Sequence, residues 1–142
     1  MAGHPRWIRR FLGDADFDAI TRVIVAVESR TSAEIRVHLE RRVPRRLFRG
    51  TPPALTRARH VFRRLGMHRP PERHGVLLYL AVEDRKLAVL GDEGIHGRVG
   101  AGHWNGVRDR MVEKVRAGTP REAIVGAIEE IGRSLATHYP KV

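Results

Sequence analysis

One apolar stretch, GVLLYLAV at residues 75–82, constrains the fold of this chain more than any other feature. A strand with one wet face alternates apolar and polar side chains, whereas this stretch is apolar on both faces. Both faces of such a strand must be covered, and helices packed on the two sides provide the cover. The run of seven apolar residues from 76 to 82 is too short to span a bilayer. The sequence therefore predicts a central strand with helices on both sides.

Two further strands flank this stretch in the sequence. Residues 33–40, AEIRVHLE, alternate apolar and polar positions, which indicates a strand with one wetter face. After the short turn EDR at 83–85, KLAVLG at 86–91 predicts the returning strand of a hairpin.

Helical periodicity accounts for most of the remaining chain. Asp14 is the predicted N-cap of a helix over about 15–30, and Thr51 with Pro52 predicts the start of a second helix, which stops at Gly66. A third helix follows the glycines after residue 91, and TPRE at 119–122 predicts a capping box that starts the last one. The apolar stripe of the second helix is Leu55, Ala58, Phe62 and Leu65, with Arg57, His60, Arg63 and Arg64 largely off it; the last helix has its stripe at Ile124, Ala127, Ile128, Ile131 and Leu135.

The order α-β-α-β-β-α-α predicts an α/β fold, a three-layer α/β/α sandwich with a small mixed sheet. The first two strands and their crossover helix make a parallel, right-handed unit, and the hairpin adds an antiparallel strand. A chain of 142 residues suffices for one domain. We expect a basic N-terminal segment at 1–13 and a single domain at 14–142.

This topology brings chemistry-bearing residues to two opposite edges of the sheet. Asp84 and Asp92 are eight residues apart along a strand, roughly 25 Å, so they cannot serve one small site. Ligands of open parallel sheets bind at the carboxyl ends of strands, which favours the hairpin edge. The glycine edge is predicted to hold Glu34, Arg73, His74, Gly75, Gly91, Asp92, Glu93 and Gly94; the hairpin edge is predicted to hold Glu40, Arg41, Arg42, Glu83, Asp84 and Arg85.

Glycines at 91, 94, 97 and 100 raise the question of a phosphate-binding loop. The spacing matches neither G-x-x-x-x-G-K-[ST] nor G-x-G-x-x-G, and Asp92 and Glu93 stand where bare N–H groups are needed. Two hypotheses stay open: a site for a hard cation, which takes carboxylate and carbonyl oxygens, and an acidic turn in solvent.

Charge is concentrated in one window. The net charge is +11, and residues 41–71 hold ten arginines without an acid. Such a patch is typical of a surface that binds anions. Its partner can be an acidic protein, an anionic membrane surface or nucleic acid, or the patch can face solvent alone. The predicted basic patch comprises Arg41, Arg42, Arg45, Arg46, Arg49, Arg57, Arg63 and Arg64.

Other chemistries are excluded or weakly indicated. There is no cysteine, which excludes disulfides and thiolate chemistry. The histidines show no zinc spacing, and no serine lies at a strand–turn–helix elbow. The first fourteen residues lack the apolar core of a signal peptide, so we expect a soluble, cytoplasmic protein without a membrane span.

Several segments resemble the TPM-domain family: RTSAEIRVHLE, RLGMHRPPERHGVLLYLAVEDRKLAVLGDEGIH, VGAGHW and REAIVGAIEEIGRSLATHYP. The resemblance covers about residues 14–140 and implies an α/β/α sandwich that binds divalent cations and, in some members, hydrolyses phosphate monoesters. Arg73 and His74 replace a common Asp-Asn pair, Asp92 and Glu93 replace a Gly-aromatic-Gly motif, and His96 replaces an acid. The matching positions are Glu34 in the first strand, Glu83, Asp84 and Arg85 in the hairpin turn, and Gly91, Gly94 and Gly97.

Together, the residues and the resemblance predict a divalent-cation-binding domain with weak phosphomonoesterase activity. The predicted ligands of Ca²⁺ or Mg²⁺ are Glu34, Asp92 and Glu93, and no organic cofactor is expected. Asp92 or Asp84 would hold a metal-bound water or act as nucleophile, and Arg73 or Arg85 would stabilise the phosphoryl oxygens of a phosphate-bearing small molecule. The alternative is a non-enzymatic interaction module that uses the arginine-rich 41–73 face.

Overall fold

A computed structural model describes residues 4–44, 53–68 and 74–141. Within these ranges the chain forms three strands and six helices, which are the four helices of the predicted order and two short ones in addition. The elements are α1 (Arg6–Arg9), α2 (Asp14–Glu28), β1 (Glu34–Glu40), α3 (Ala54–Arg64), β2 (Gly75–Ala81), β3 (Lys86–Gly91), α4 (Glu93–Val99), α5 (Ala101–Arg116) and α6 (Pro120–His138).

The sheet has the order β1-β2-β3, with β1 and β2 parallel and β2 and β3 antiparallel. Glu34 pairs with Gly75 at one end of β1, and Glu40 pairs with Ala81 at the other. Every residue of β2 is buried. The apolar run thus forms the central strand, as its two-sided pattern predicts.

Helices cover both faces of β2. Val76, Leu78 and Leu80 face the layer of α2, α5 and α6, while Leu77 and Tyr79 face α3. Burying a leucine side chain completely contributes about 1.5–3 kcal/mol, so this strand anchors both halves of the core. The predicted α/β/α sandwich with a small mixed sheet is confirmed.

The contact between α2 and α6 requires a glycine. A Cβ atom built on Gly132 would lie 2.6 Å from a methyl group of Val27, closer than real carbon atoms approach. The predicted apolar stripe of α6 is buried along its whole length. A smooth, apolar helix face therefore lets α2 pack closely on α6.

Two predicted N-caps differ from the structure. Asp14 is the first residue of α2, and Gly13 is its N-cap, with the Asp16 carboxylate accepting the Gly13 N–H at 2.8 Å. Thr119 is the N-cap of α6, but its hydroxyl donates to the Lys114 carbonyl and does not cap the helix. Pro120 occupies the first turn as predicted. The Lys114 carbonyl thus competes with the helix for the Thr119 hydroxyl, which explains why this side chain does not cap α6.

The start predicted for α3 at Thr51 and Pro52 lies outside the described residues, and the helix runs from Ala54. Its stripe is only partly as predicted, because Ala58 and Phe62 are buried whereas Leu55 and Leu65 are 40% and 36% exposed. Arg57, predicted to lie off the stripe, is buried.

The glycine stretch is not an open turn. Residues 93–99 form α4, and Gly100, at a φ of 90°, separates it from α5. Ile95 anchors α4 because its side chain is fully buried. In the described ranges, no helix is both long and apolar enough to cross a membrane.

Candidate functional site

Both predicted edges of the sheet form as the topology requires. At the glycine edge, the Glu34 N–H donates to the His74 carbonyl at 2.7 Å and the Asp92 N–H donates to the Gly75 carbonyl at 3.0 Å. At the hairpin edge, the Val82 N–H donates to the Glu40 carbonyl at 2.8 Å. Residues from different strands therefore meet at each edge.

Asp92 holds the glycine edge together. One carboxylate oxygen accepts the Ile95 N–H at 2.9 Å and so caps α4. The other accepts the Gly75 N–H at 2.8 Å, which ties α4 to the start of β2. His74 Nδ1 lies 3.4 Å from the first oxygen. These donors engage both oxygens of the carboxylate within the protein.

An aromatic stack lies beside Asp92. The His74 ring contacts the Tyr139 ring at a centroid distance of 4.1 Å, and the Arg98 guanidinium lies 5.3 Å from the centre of the Tyr139 ring. Burial raises the pKa of the Tyr139 hydroxyl, Arg98 lowers it, and Asp92 raises it. Sequence reasoning placed His74 at this edge but gave neither Arg98 nor Tyr139 a role.

The structure does not assemble the predicted cation ligands. Glu34 lies 3.3 Å from the Arg36 guanidinium, and Glu93 is exposed at the start of α4. Among the residues that the structure describes, no group of three histidine or acidic side chains could hold a metal ion. Arg73, the predicted partner of Asp92, lies outside the described residues. In the described part of this edge, Glu34, Asp92 and Glu93 therefore do not form one cluster of ligands.

Titration with Ca²⁺ or Mg²⁺ is expected to leave the amide resonances of residues 91–97 without a saturable shift at millimolar concentrations. The reason is that the Asp92 oxygens already accept two backbone N–H groups, and a hard cation needs several free oxygens. Isotope-labelled protein and heteronuclear NMR measure this directly. A saturable shift shared by residues 33–35 and 91–97 would restore the predicted cation site.

The hairpin edge is rich in ion pairs. Glu83 lies 2.8 Å from the Arg41 guanidinium and 3.0 Å from that of Arg42, and its hydrogen bond from Arg41, with a smaller one from Arg42, lowers the pKa of its carboxyl. Asp84 accepts the Val43 N–H at 2.7 Å and so fastens the hairpin turn to the chain that leaves β1. Both acids of the turn therefore have structural partners.

The predicted basic patch is not one free surface. Arg41 and Arg42 pair with Glu83, and Arg57 is 5% exposed. In the part of the patch that is described, Arg63 and Arg64 are exposed at the end of α3. The patch residues outside the described ranges are Arg45, Arg46 and Arg49.

Arg57 belongs to a buried polar cluster that sequence reasoning missed. Its guanidinium makes two hydrogen bonds to the Glu40 carboxylate, at 3.0 and 2.7 Å, and the Tyr79 hydroxyl donates to the same carboxylate at 2.6 Å. Burial and the neighbouring Glu40 raise the pKa of Tyr79, and burial lowers the pKa of His38, which lies beside the cluster. Arg57 lies one helical turn before Val61, and this spacing was the signal that could have placed Arg57 on the buried face of α3.

A cavity of about 780 Å³ lies behind the hairpin turn, and we call it the hairpin cavity. Arg10, Arg85 and Arg116 line it, and none of these guanidiniums makes a hydrogen bond or ion pair with another described residue. Glu83 is the only acid among the described lining residues, and it is already paired with Arg41 and Arg42. Apolar walls complete the cavity, from Trp7, Phe11, Leu87, Val112 and Val115.

The three arginines come from elements far apart in the sequence. Arg10 follows α1, Arg85 is in the hairpin turn, and Arg116 is the last residue of α5. Of these, sequence reasoning singled out Arg85 alone. Arg10 and Arg116 were missed because no local pattern reports that α1 and the end of α5 meet at the turn.

Comparison with known proteins identifies the chain's relatives. The profile of the TPM domain matches residues 9–134. No curated protein matches the sequence at a significant level. The NMR structure of the BA42 protein from the psychrophilic bacterium Bizionia argentinensis is similar to this one, with a TM-score of 0.77 and 34% identity over 92% of this chain and 85% of that chain.

Two more distant structures share the fold alone. The N-terminal domain of a protein from P. gingivalis has a TM-score of 0.71 and 19% identity, over 91% of this chain and 79% of that chain. The N-terminal domain of the cg2496 protein from Corynebacterium glutamicum has a TM-score of 0.64 and 15% identity, over 95% of this chain and 86% of that chain. With the profile match over most of its length, the chain belongs to the TPM-domain family.

Proposed function

We propose that this TPM-domain protein binds a small phosphate-bearing molecule with an apolar body in the hairpin cavity. The observation that supports the proposal is the set of three guanidiniums, those of Arg10, Arg85 and Arg116, around one cavity without a described counter-ion. Positive charge that lines one cavity without a partner raises the affinity of that cavity for an anion.

The chemistry of the lining selects the ligand class. A guanidinium offers a planar fork of N–H donors that matches the oxygens of a phosphate. The walls contributed by Trp7, Phe11 and Val112 would cover an apolar or aromatic group attached to that phosphate. The volume lies within the range of small-molecule sites, so a phosphate monoester of modest size fits this description.

The backbone at Arg85 gives independent support. Arg85 has a φ of 54°, in the left-handed region where glycine and asparagine are favoured. A side chain in this region costs roughly 1 kcal/mol or more relative to glycine. An arginine at a position that prefers glycine is consistent with a use for its side chain.

The proposal is for binding without hydrolysis, although the family resemblance implies phosphomonoester hydrolysis. Glu83, the acid that lines the cavity, is neutralised by two arginines, and Asp84 accepts the Val43 N–H. Asp92 stands at the opposite edge of the sheet, roughly 25 Å from Asp84 along the strand. None of these three carboxylates is placed as a free nucleophile beside the guanidiniums.

The alternative function, an interaction module that uses the arginine-rich 41–73 face, receives less support. Arg41, Arg42 and Arg57 are engaged with Glu83 and Glu40. These arginines cannot neutralise an external polyanion without leaving their acidic partners.

Phenyl phosphate is the probe for the proposed site. We expect saturable shifts of the Trp7 indole N–H and of the amides of residues 83–87, with weaker binding of inorganic phosphate and none of phenol. Binding should weaken as salt rises, since the contact is electrostatic. Release of nitrophenol from p-nitrophenyl phosphate above the rate without protein would contradict binding without hydrolysis.

Replacing Arg85 with glycine is expected to separate ligand binding from stability. Binding of phenyl phosphate should weaken at least about tenfold, equivalent to about 1.4 kcal/mol. The free energy of unfolding should stay the same or rise by about 1 kcal/mol, because glycine relieves the left-handed backbone. NMR titration and denaturant unfolding measure the two effects.

Arg133→Gln is the matched control for this variant. Arg133 lies on α6 thirteen residues from Pro120, about 20 Å along the helix, and it does not line the cavity. The Arg133→Gln variant should bind phenyl phosphate as the unmodified protein does. If the three single variants R85G, Arg10→Gln and Arg116→Gln all bind phenyl phosphate as tightly as the unmodified protein does, the hairpin cavity is not the site.

A further inference from the structure

The two edge strands of the sheet differ in how their outward backbone groups are protected from pairing with another strand. In β1, the Ile35 N–H faces away from β2, and the Glu28 carboxylate accepts it at 2.9 Å. Glu34 and Arg36 add charge to this edge. In β3, Lys86 is the one charged residue, and the strand has neither a proline nor a bulge. Charge and side-chain caps are the usual protection against unwanted pairing, and beyond Lys86 at its start β3 has neither.

The pairing pattern fixes which backbone groups of β3 are open. The Asp92 N–H donates to the Gly75 carbonyl, so odd-numbered residues of β2 face β3. Their partners are the even-numbered residues of β3, because the pairs bond alternately in an antiparallel ladder. The N–H and C=O groups of Leu87, Val89 and Gly91 therefore point outward, and no other described strand pairs with them.

These outward groups lie in a groove of about 590 Å³, which we call the β3 groove. The N-terminal part of α3 forms one wall, with Leu55 and Arg59, and α4 and α5 form the other, with Trp104 and Arg108. Residues 87–91 all line the floor. The strand offers about 13 Å of backbone, the length of roughly five extended residues.

Trp104 supplies an unused donor. The residue is 3% exposed, and its indole Nε1 has no hydrogen-bond partner in the described part of the chain. An unpaired buried donor costs about 1–3 kcal/mol, so native proteins rarely leave one without a ligand or water. Because Trp104 lines the groove, a carbonyl or carboxylate oxygen there would satisfy this donor after a small shift that uncovers the buried Nε1.

We infer that the β3 groove binds an extended, acidic segment of another protein, which adds to the sheet as a fourth strand. The segment's backbone would pair with Leu87, Val89 and Gly91, as in other cases of strand addition. Its acidic side chains would meet Arg59, which has no ion-pair partner among the described residues, and Arg108, which would exchange its exposed neighbour Asp109, at 2.9 Å, for the segment. Glu93 is the one acid among the described lining residues. Two copies of a chain with a net charge of +11 repel each other, so charge favours an acidic partner over self-pairing.

A capped seven-residue peptide of alternating glutamate and valine tests the inference. We expect saturable shifts of the Leu87, Val89 and Gly91 amides and of the Trp104 indole N–H, with slower hydrogen exchange at those amides. The same peptide methylated on alternate backbone nitrogens should bind at least about tenfold more weakly, because it cannot complete the ladder. Equal binding of the methylated peptide would overturn strand addition.

Charge-reversal variants test the walls of the groove. Arg59→Glu with Arg108→Glu should weaken binding of the acidic peptide at least about tenfold and leave the melting temperature nearly unchanged, because both side chains are at the surface. Arg22→Glu, on α2 in the layer that packs on β1, is the matched control and should bind normally. Equal binding of a lysine–valine peptide, or a dimer of this chain through β3 at micromolar concentration, would overturn the choice of an acidic partner.

Discussion

Replacing Glu40 with glutamine is expected to lower the free energy of unfolding by about 3 kcal/mol. The Arg57 side chain is 6% exposed, and the Glu40 carboxylate accepts two of its hydrogen bonds. The change removes the only described ion-pair partner of a buried guanidinium. Denaturant unfolding at neutral pH measures the loss.

Glu130→Gln is the matched control, because Glu130 accepts a similar two-pronged bond from Arg110 at the surface. Arg110 is 52% exposed, so this change should cost less than about 1 kcal/mol. Replacing both members of the buried pair, Glu40 with leucine and Arg57 with methionine, should restore most of the stability. If E40Q and Glu130→Gln have equal effects, burial does not strengthen the Glu40–Arg57 interaction.

The same pair predicts a pH dependence. Burial raises the pKa of the Glu40 carboxyl. The hydrogen bonds from Arg57 and Tyr79, together with the charge of Arg57, outweigh this effect, so the pKa lies below its ordinary value of 4.5. A carboxyl whose pKa falls on folding stabilises the protein above its unfolded pKa and loses that contribution as the pH drops through the folded pKa. Stability should therefore decline below about pH 4.5, and the decline should be smaller in E40Q.

Much of the fold could be predicted because its determinants are local or geometric. The stretch 75–82 is apolar on both faces, which requires cover on two sides. Parallel and antiparallel pairing then dictate which strand ends meet, and so both edges were assigned correctly. The stripe on α6 needs only a period of 3.6 residues.

The glycine stretch shows where local reasoning fails. A glycine inside a helix costs about 1 kcal/mol relative to alanine, so residues 91–100 do not resemble a helix. Tertiary contacts reverse this preference, because Ile95 is fully buried and Asp92 caps α4 while also bonding β2. The arginines of the hairpin cavity pose the same difficulty, since Arg10 and Arg116 meet only through the packing of distant elements.

Replacing Asp92 with alanine is expected to lower the free energy of unfolding by about 3 kcal/mol. Loss of an N-cap costs about 1 kcal/mol, and leaving the buried Gly75 N–H without its acceptor costs about 1–3 kcal/mol. Asp92→Asn should fall between alanine and the unmodified protein, since its carbonyl can still cap α4 but its amide cannot accept from Gly75. Thermal and denaturant unfolding measure both variants.

Asp109→Asn is the control for charge, because that side chain is 67% exposed and should contribute less than about 0.5 kcal/mol.

A structural role for Asp92 and a metal-ligand role make opposite predictions. If Asp92 is a cap, alanine at this position destabilises the protein equally with and without Ca²⁺. If Asp92 is a ligand, Ca²⁺ stabilises the unmodified protein in proportion to its binding, and the variant loses that increment alone. A D92A protein that unfolds like the unmodified one in the absence of Ca²⁺ would therefore return this carboxylate to the predicted cation site.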